Sequence, residues 1–227
     1  MSIIKRILSL LLCVNLFFCM SCDESSSETT TTDNATSQES ALANGQIAYE
    51  NLNLISSLTD SISSSVYEAW YFSVSRYNKY DLLVSADAKI NDLAVYVKLP
   101  ADILSEEISN YIITQFNQEP IGMNKDAMLM QPQMLIPIII NVYTKQGVID
   151  CINSQFTEAK NAIKEIPSNY EGTTELTKLK EYYAELLSYY QFVTSPSGTL
   201  DQLDDTIGIY QTNISKLQND LNFTYEK

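Results

Sequence analysis

From about residue 44 onward, apolar side chains return every three or four residues, the spacing that gathers them on one face of an α-helix. Ile55, Leu58, Ile62, Val66 and Ala69 keep to one stripe, continued by Ser73 and Tyr77, so residues 46–80 are expected to form one long helix. A second stripe of Leu83, Ile90, Leu93, Ala94 and Val97 runs up to Leu99. It stops at Pro100, which disfavours helix in the residue before it and suits the first turn of a new helix reaching about residue 116. The rhythm becomes heptad-like in Ile149, Ile152, Phe156, Ala159, Ile163 and Ile166, and again in Leu176, Leu179, Tyr183, Leu186, Tyr190 and Val193. Ser195-Pro196-Ser197-Gly198 breaks the chain, Thr199 and Gln202 form a capping box, and Leu200, Leu203, Ile207, Tyr210, Ile214, Leu217 and Leu221 complete a last stripe. Such stripes must bury one another. The expected fold is all-α, a bundle of five or six helices ending in a C-terminal antiparallel helical hairpin.

Two places interrupt the pattern. Residues 117–133 contain Pro120, Gly122 and Pro132 and no regular spacing, so they are expected to form the longest loop. Loops of that length tend to carry function, which makes Met123, Met128 and Met130 candidates for partner contact; alternatively, flexible Met chains cover an open end of the core. Residues 135–140 are strongly apolar, but Pro137 fits a helix only in its first turn.

Composition excludes much chemistry. The chain has 28 acidic residues against 14 basic ones and no histidine. A net charge of −14 argues against a nucleic-acid partner, since phosphate binding relies on clustered Lys and Arg. Without histidine there is no Ser/His/Asp triad, no Cys/His dyad and no Glu-x-x-His di-iron unit. Calcium-loop and glycine-rich phosphate-loop spacings are missing as well. The acidic clusters Glu106-Glu107, Asp204-Asp205 and Glu181 with Glu185 are expected to be solvated helix faces rather than metal sites, and no cofactor is expected.

The N-terminus is of another kind. Lys5 and Arg6 precede an apolar run over residues 7–20, interrupted by Ser9 and Asn15, which is too short to cross ~30 Å of hydrocarbon comfortably. This is the layout of a signal peptide. The run ends in Phe18-Cys19-Met20-Ser21-Cys22, which resembles the lipobox of bacterial lipoproteins, with Cys19 standing where Leu, Val or Ile is usual. The resemblance covers residues 1–22. It implies cleavage after Ser21 and lipidation of Cys22, hence an extracytoplasmic protein held on a bacterial membrane, inner, outer or at the cell surface. Two or more acyl chains at ~0.8 kcal/mol per buried methylene hold a protein durably. Of the four cysteines, Cys13 and Cys19 would leave with the signal peptide, so Cys151 is left without a disulfide partner and is expected to be a partly buried helix residue.

Residues 23–40, DESSSETTTTDNATSQES, include ten Ser or Thr and five acids among eighteen residues. Such a segment buries too little surface to offset its ordering entropy, and is expected to be a leash holding the body roughly 25 Å from the lipid. The expected organisation is signal peptide 1–21, lipidated cysteine and disordered tether 22–44, and one helical domain 45–227.

Fifteen tyrosines and one tryptophan are a heavy aromatic load. Tyr67, Trp70, Tyr71 and Tyr77 either stack against a sugar or protein partner or fill the core with their hydroxyls at its rim. Tyr182-Tyr183 and Tyr189-Tyr190 are one heptad apart, so one ring of each couple should face the seam and the other outward. The reading that follows is a membrane-tethered, noncatalytic interaction or ligand-binding module for a protein, peptide or glycan. Its alternative is an envelope hydrolase, which would need two carboxylates converging in a cleft, one with a raised pKa.

Overall fold

The structure, a computed structural model, describes residues 32–81 and 83–225. The described residues contain eight α-helices and no strand: α1 (Thr32–Tyr71), α2 (Ala86–Val97), α3 (Ala101–Phe116), α4 (Gly122–Leu129), α5 (Pro132–Lys145), α6 (Val148–Glu165), α7 (Thr174–Thr194) and α8 (Leu200–Tyr225). The all-α bundle and its C-terminal antiparallel hairpin are as the periodicity requires. The helices outnumber the expected five or six because turns and short helices look alike in a sequence.

The longest helix, α1, is the axis. Its stripe of Leu52, Ile55, Ile62, Val66 and Ala69 is fully buried. The middle of α1 packs against the α7–α8 hairpin, where the Tyr182 hydroxyl meets Asn53 and the Tyr189 hydroxyl meets Asp60. Nearer its C-terminal end it meets α2 and α5: Ser65 Oγ donates to the Val97 carbonyl at 2.7 Å and lies 2.7 Å from the Tyr143 hydroxyl. Serines suit that position because two helices can approach closely only over small side chains.

The ends of the helices follow from their residues. Ser85 caps α2 by accepting from the Ala88 amide, and Lys98 ends it in the left-handed region at φ 55°. Leu99 and Pro100 then turn the chain, so the expected break at Pro100 is present. Thr173 caps α7 by accepting from the Leu176 amide. At α8 the capping box closes in both directions, Thr199 N–H to Gln202 Oε1 at 2.9 Å and Gln202 N–H to Thr199 Oγ1 at 3.3 Å.

Four expectations need correction. Helix α1 begins at Thr32, well inside the supposed tether, and Ala41 is buried while Asn44 donates its side-chain amide to the Glu165 carbonyl. A composition average over residues 23–40 hid this start. Residues 117–133 are no single loop, because α4 forms within them and Met128 and Leu129 drop into the core. Pro137 sits inside α5 rather than in its first turn. The residue four before it, Gln133, whose carbonyl Pro137 cannot bond, is exposed. Finally, the rings buried deepest in α7 are Tyr182 and Tyr189, not Tyr183 and Tyr190. Both couples are used: Tyr183 and Tyr190 lie half-buried against Phe156 of α6, at 5.4 and 5.9 Å between ring centroids. A helix packed on three sides buries a wider arc than one heptad seam.

Candidate functional site

The axis helix loosens where its sequence turns aromatic. Trp70, Tyr71, Phe72, Ser73 and Val74 all favour a helix less than Ala or Leu does, and Ser73 Oγ bonds back to the Ala69 carbonyl. At this point α1 widens into a π-turn (Phe72–Arg76), tightens into a 3-10 turn (Tyr77–Lys79) and ends in extended backbone at Tyr80. Single π-turns recur at functional sites because they displace side chains from the regular helical faces.

Here the displaced group is Arg76. It is one of two arginines in the chain, the other being Arg6. Its guanidinium carbon lies 3.7 Å from the centroid of the Tyr96 ring and 5.2 Å from that of Tyr71. These rings, with Lys79 and Tyr80, line an open recess of about 370 Å³. Phe72 supports Tyr80 and Tyr96 from the core side, at 5.9 and 6.3 Å between centroids. The Tyr80 hydroxyl donates to Asp92 Oδ2 at 2.9 Å, and burial together with that carboxylate pushes its pKa up to about 12. Tyr80 therefore stays neutral and fixed at the rim. Arg76 Nε is enclosed and has no hydrogen-bond partner among the described residues.

The recess lining holds a guanidinium, an ammonium and three phenols, and no carboxylate or thiol. Such a lining attracts anions. Arg supplies a planar fork that matches an oxyanion in two places, Lys a second point charge, and the rings a flat wall.

The seven candidate binding residues fall in different places. Tyr71 lines the recess, and Tyr67 stacks parallel to it at 6.3 Å. Trp70 is 4% exposed and belongs to the core, which removes it from any display surface. Tyr77 belongs to a clamp around Lys89, a lysine only 5% exposed on α2. The Lys89 ammonium sits 4.8 Å from the Tyr77 ring centroid, donates to the Tyr77 hydroxyl at 3.4 Å, and pairs with Asp126 of α4 at 2.9 Å. Burial alone would lower the Lys89 pKa, but the hydrogen bonds to Asp126 and Tyr77 outweigh it and carry the pKa above the usual lysine value. Lys125 pairs with Asp87 at 2.8 Å beside it, so α4 is pinned to α2 at two points. Met128 is core, whereas Met123 and Met130 are exposed. Cys22 lies outside the described residues.

Arg76, Lys79, Tyr80 and Tyr96 escaped the sequence reading. The available signal was an arginine and a lysine among aromatics in Tyr71-Phe72-Ser73-Val74-Ser75-Arg76-Tyr77-Asn78-Lys79-Tyr80, within a chain otherwise poor in arginine. Periodicity alone assigned that segment to helix.

The acidic residues expected on solvated faces are exposed at Asp204, Asp205 and Glu181, but Glu107 departs from that expectation because Lys145 neutralises it within the packing. Glu107 is buried and pairs with Lys145 at 2.5 Å, Glu106 pairs with the same lysine at 3.0 Å, and Glu185 accepts from Asn213 at 2.8 Å. Among the described residues no three His, Cys, Asp or Glu side chains gather where they could hold a metal ion. Cys151 is half-buried, and burial followed by the nearby Glu158 raises its pKa, which keeps the thiol protonated at neutral pH. No single helix among the described residues is long and apolar enough to cross a membrane. The chain matches no protein-family model, no curated protein and no solved structure.

Proposed function

We propose that this chain is a bacterial lipoprotein held at an extracytoplasmic membrane face by acyl chains on Cys22, and that its helical body is a noncatalytic ligand-binding module. The anchoring half of the reading rests on the charged N-terminus, the short apolar run and the Ser21-Cys22 junction. The binding half rests on one observation, the cationic recess built by the π-turn of α1. An envelope hydrolase acting through carboxylates is less well supported, because that recess has no acid in its lining and Glu106 and Glu107 are paired with Lys145.

Two experiments test this. Mass spectrometry of the N-terminal peptide should find Cys22 carrying thioether-linked and amide-linked lipid, and Cys22→Ser should move the protein from the membrane fraction to the soluble one. An unmodified thiol would overturn the anchoring. Incubation of the purified full-length protein with isolated cell-wall polymer should release no soluble fragments; their release would overturn the noncatalytic assignment.

A further inference from the structure

Resting on the reading of the body as a binding module, we propose that the recess at the end of α1 is a carboxylate-binding subsite for an acidic sugar, with Arg76 as the fork and Lys79 as the second charge.

The choice of carboxylate starts from what Arg76 does and does not touch. Its guanidinium carbon lies over the Tyr96 ring at 3.7 Å and over the Tyr71 ring at 5.2 Å, and a guanidinium held over aromatic rings still offers its in-plane N–H donors to an acceptor. No carboxylate among the described residues comes within ion-pair distance of it, in a chain carrying twice as many acids as bases. The lysines that pin neighbouring helices, Lys89, Lys125 and Lys145, each have an acidic partner. Arg76 and Lys79 do not, and Arg76 Nε is enclosed with no acceptor. The Nε position is closed to a ligand, so the terminal guanidinium N–H groups, which no carboxylate among the described residues engages, are the donors that an in-plane oxyanion in the recess can meet. A planar carboxylate meets that fork with two parallel hydrogen bonds.

The rest of the ligand is argued from the walls. The recess is open and its lining mostly polar, so a hydrated molecule suits it better than a greasy one. Tyr80 lines the recess beside the charges, and its hydroxyl is held by Asp92, which places an acceptor at the rim for a sugar hydroxyl. A volume of about 370 Å³ holds one or two sugar rings, small for a protein segment with its own fold. A sugar bearing a carboxyl group combines these demands.

The test is calorimetric titration of the full-length protein in a polyoxyethylene detergent with four probes: D-glucuronate, D-glucose, acetate and D-glucose 6-phosphate. Glucuronate should bind saturably at 1:1, at least tenfold more tightly than glucose or acetate and more tightly than the phosphate ester, and the binding should weaken with added salt. Arg76→Gln should lose tenfold or more, Arg76→Lys should recover only part of that loss because it restores charge without the fork, and Lys79→Gln should lose about two- to fivefold. Lys79 is exposed and makes no core contact, so its variant folds even if Arg76→Gln does not. Lys164→Gln, on the exposed surface of α6, should leave binding unchanged. Equal affinity for glucose and glucuronate, or glucuronate binding that survives both Arg76→Gln and Lys79→Gln, overturns the subsite. Preference for the phosphate ester overturns the carboxylate assignment and leaves the binding-module reading standing. Absence of binding by all four probes overturns the subsite, while lipid on Cys22 is read separately by mass spectrometry.

Discussion

The Tyr182 hydroxyl donates to Asn53 Oδ1 at 2.9 Å across the seam between α7 and α1, and one heptad away Tyr189 donates to Asp60 Oδ1 at 3.0 Å. The third helix supplies matching partners. Gln218 Nε2 donates to the Tyr182 hydroxyl at 2.7 Å and to Asn53 Oδ1 at 3.2 Å, and Gln211 Nε2 donates to Asp60 Oδ1 at 3.0 Å. Gln218 and Gln211 are also one heptad apart, in reverse order because α8 runs antiparallel to α7. The bundle thus carries two similar polar layers, Tyr-Asn-Gln and Tyr-Asp-Gln, each joining α1, α7 and α8. A helix that slid by one turn would leave these groups without acceptors, so the layers set the register of an otherwise apolar packing.

Removal of one hydroxyl should therefore destabilise more than a surface change. Tyr182→Phe and Tyr189→Phe are each expected to lower stability by about 1 kcal/mol, and Tyr182→Ala by roughly 3–5 kcal/mol through the cavity it leaves. Urea titration of the full chain measures both. Because each layer has its own partners, the two Phe variants should add to within about 0.5 kcal/mol. Coupling well beyond that would show the layers are not independent.

Two glycines should respond with opposite signs to the same substitution. Gly45 lies in α1, where an added Cβ would stand 2.5 Å from the Tyr225 ring, itself stacked on Tyr49 at 5.7 Å. Gly45→Ala is expected to cost about 1–3 kcal/mol despite the better helix propensity of Ala. At Gly208 of α8 an added Cβ meets nothing within 4 Å, so Gly208→Ala should stabilise by roughly 0.5–1 kcal/mol. Thermal melts of the pair check the contrast.

Alkaline pH should unfold the bundle through its tyrosines. Burial raises the phenolic pKa of Tyr143, Tyr182 and Tyr189 above the ordinary 10.0, and at Tyr80 burial and Asp92 raise it to about 12. In the unfolded chain these groups release protons near pH 10, while in the folded one they hold them. The native state then binds more protons, so stability is intact below about pH 10 and falls as the pH rises past it. The expected record is a urea midpoint that declines from pH 9 to 11, with a step in phenolate absorbance on unfolding. The Tyr182→Phe/Tyr189→Phe double variant should show a shallower decline; an unchanged slope would refute the assignment.

The Lys89–Asp126 pair should hold α4 in place. Asp126 keeps about a third of its side chain exposed, so Asp126→Asn is expected to cost only about 1 kcal/mol globally. Locally the effect should be larger. Amide exchange in Gly122–Leu129 is expected to accelerate about tenfold while the α7–α8 hairpin stays protected. Uniform acceleration across the chain would mean that α4 does not open on its own.

How far the sequence reached can be judged from particular residues. The last helix was legible almost residue by residue: Leu203, Ile207, Ile214 and Leu221 are buried as their spacing demands, and the Thr199–Gln202 capping box forms. In α7 the same spacing fitted two registers, because Tyr183 and Tyr190 keep heptad positions as well as Tyr182 and Tyr189 do. Only the presence of three neighbours decided which pair lies deepest. Residues 117–133 misled because Pro120 and Pro132 flank a helix too short to show a period, and its hold on α2 is electrostatic, through Lys89 and Lys125.

The recess was the least legible feature. Trp70 and Tyr77, singled out as aromatic, went to the core and to the Lys89 clamp, whereas Arg76 and Tyr96 come from segments twenty residues apart that meet only in space. The sequence by itself determined the all-α class, most of the helices and the terminal hairpin, because periodicity and capping are encoded within a few residues of each position. Which ring is buried, which cation finds an acid and which is left beside an aromatic wall were decided by the tertiary structure, because burial and charge pairing belong to neighbours that the chain order does not specify.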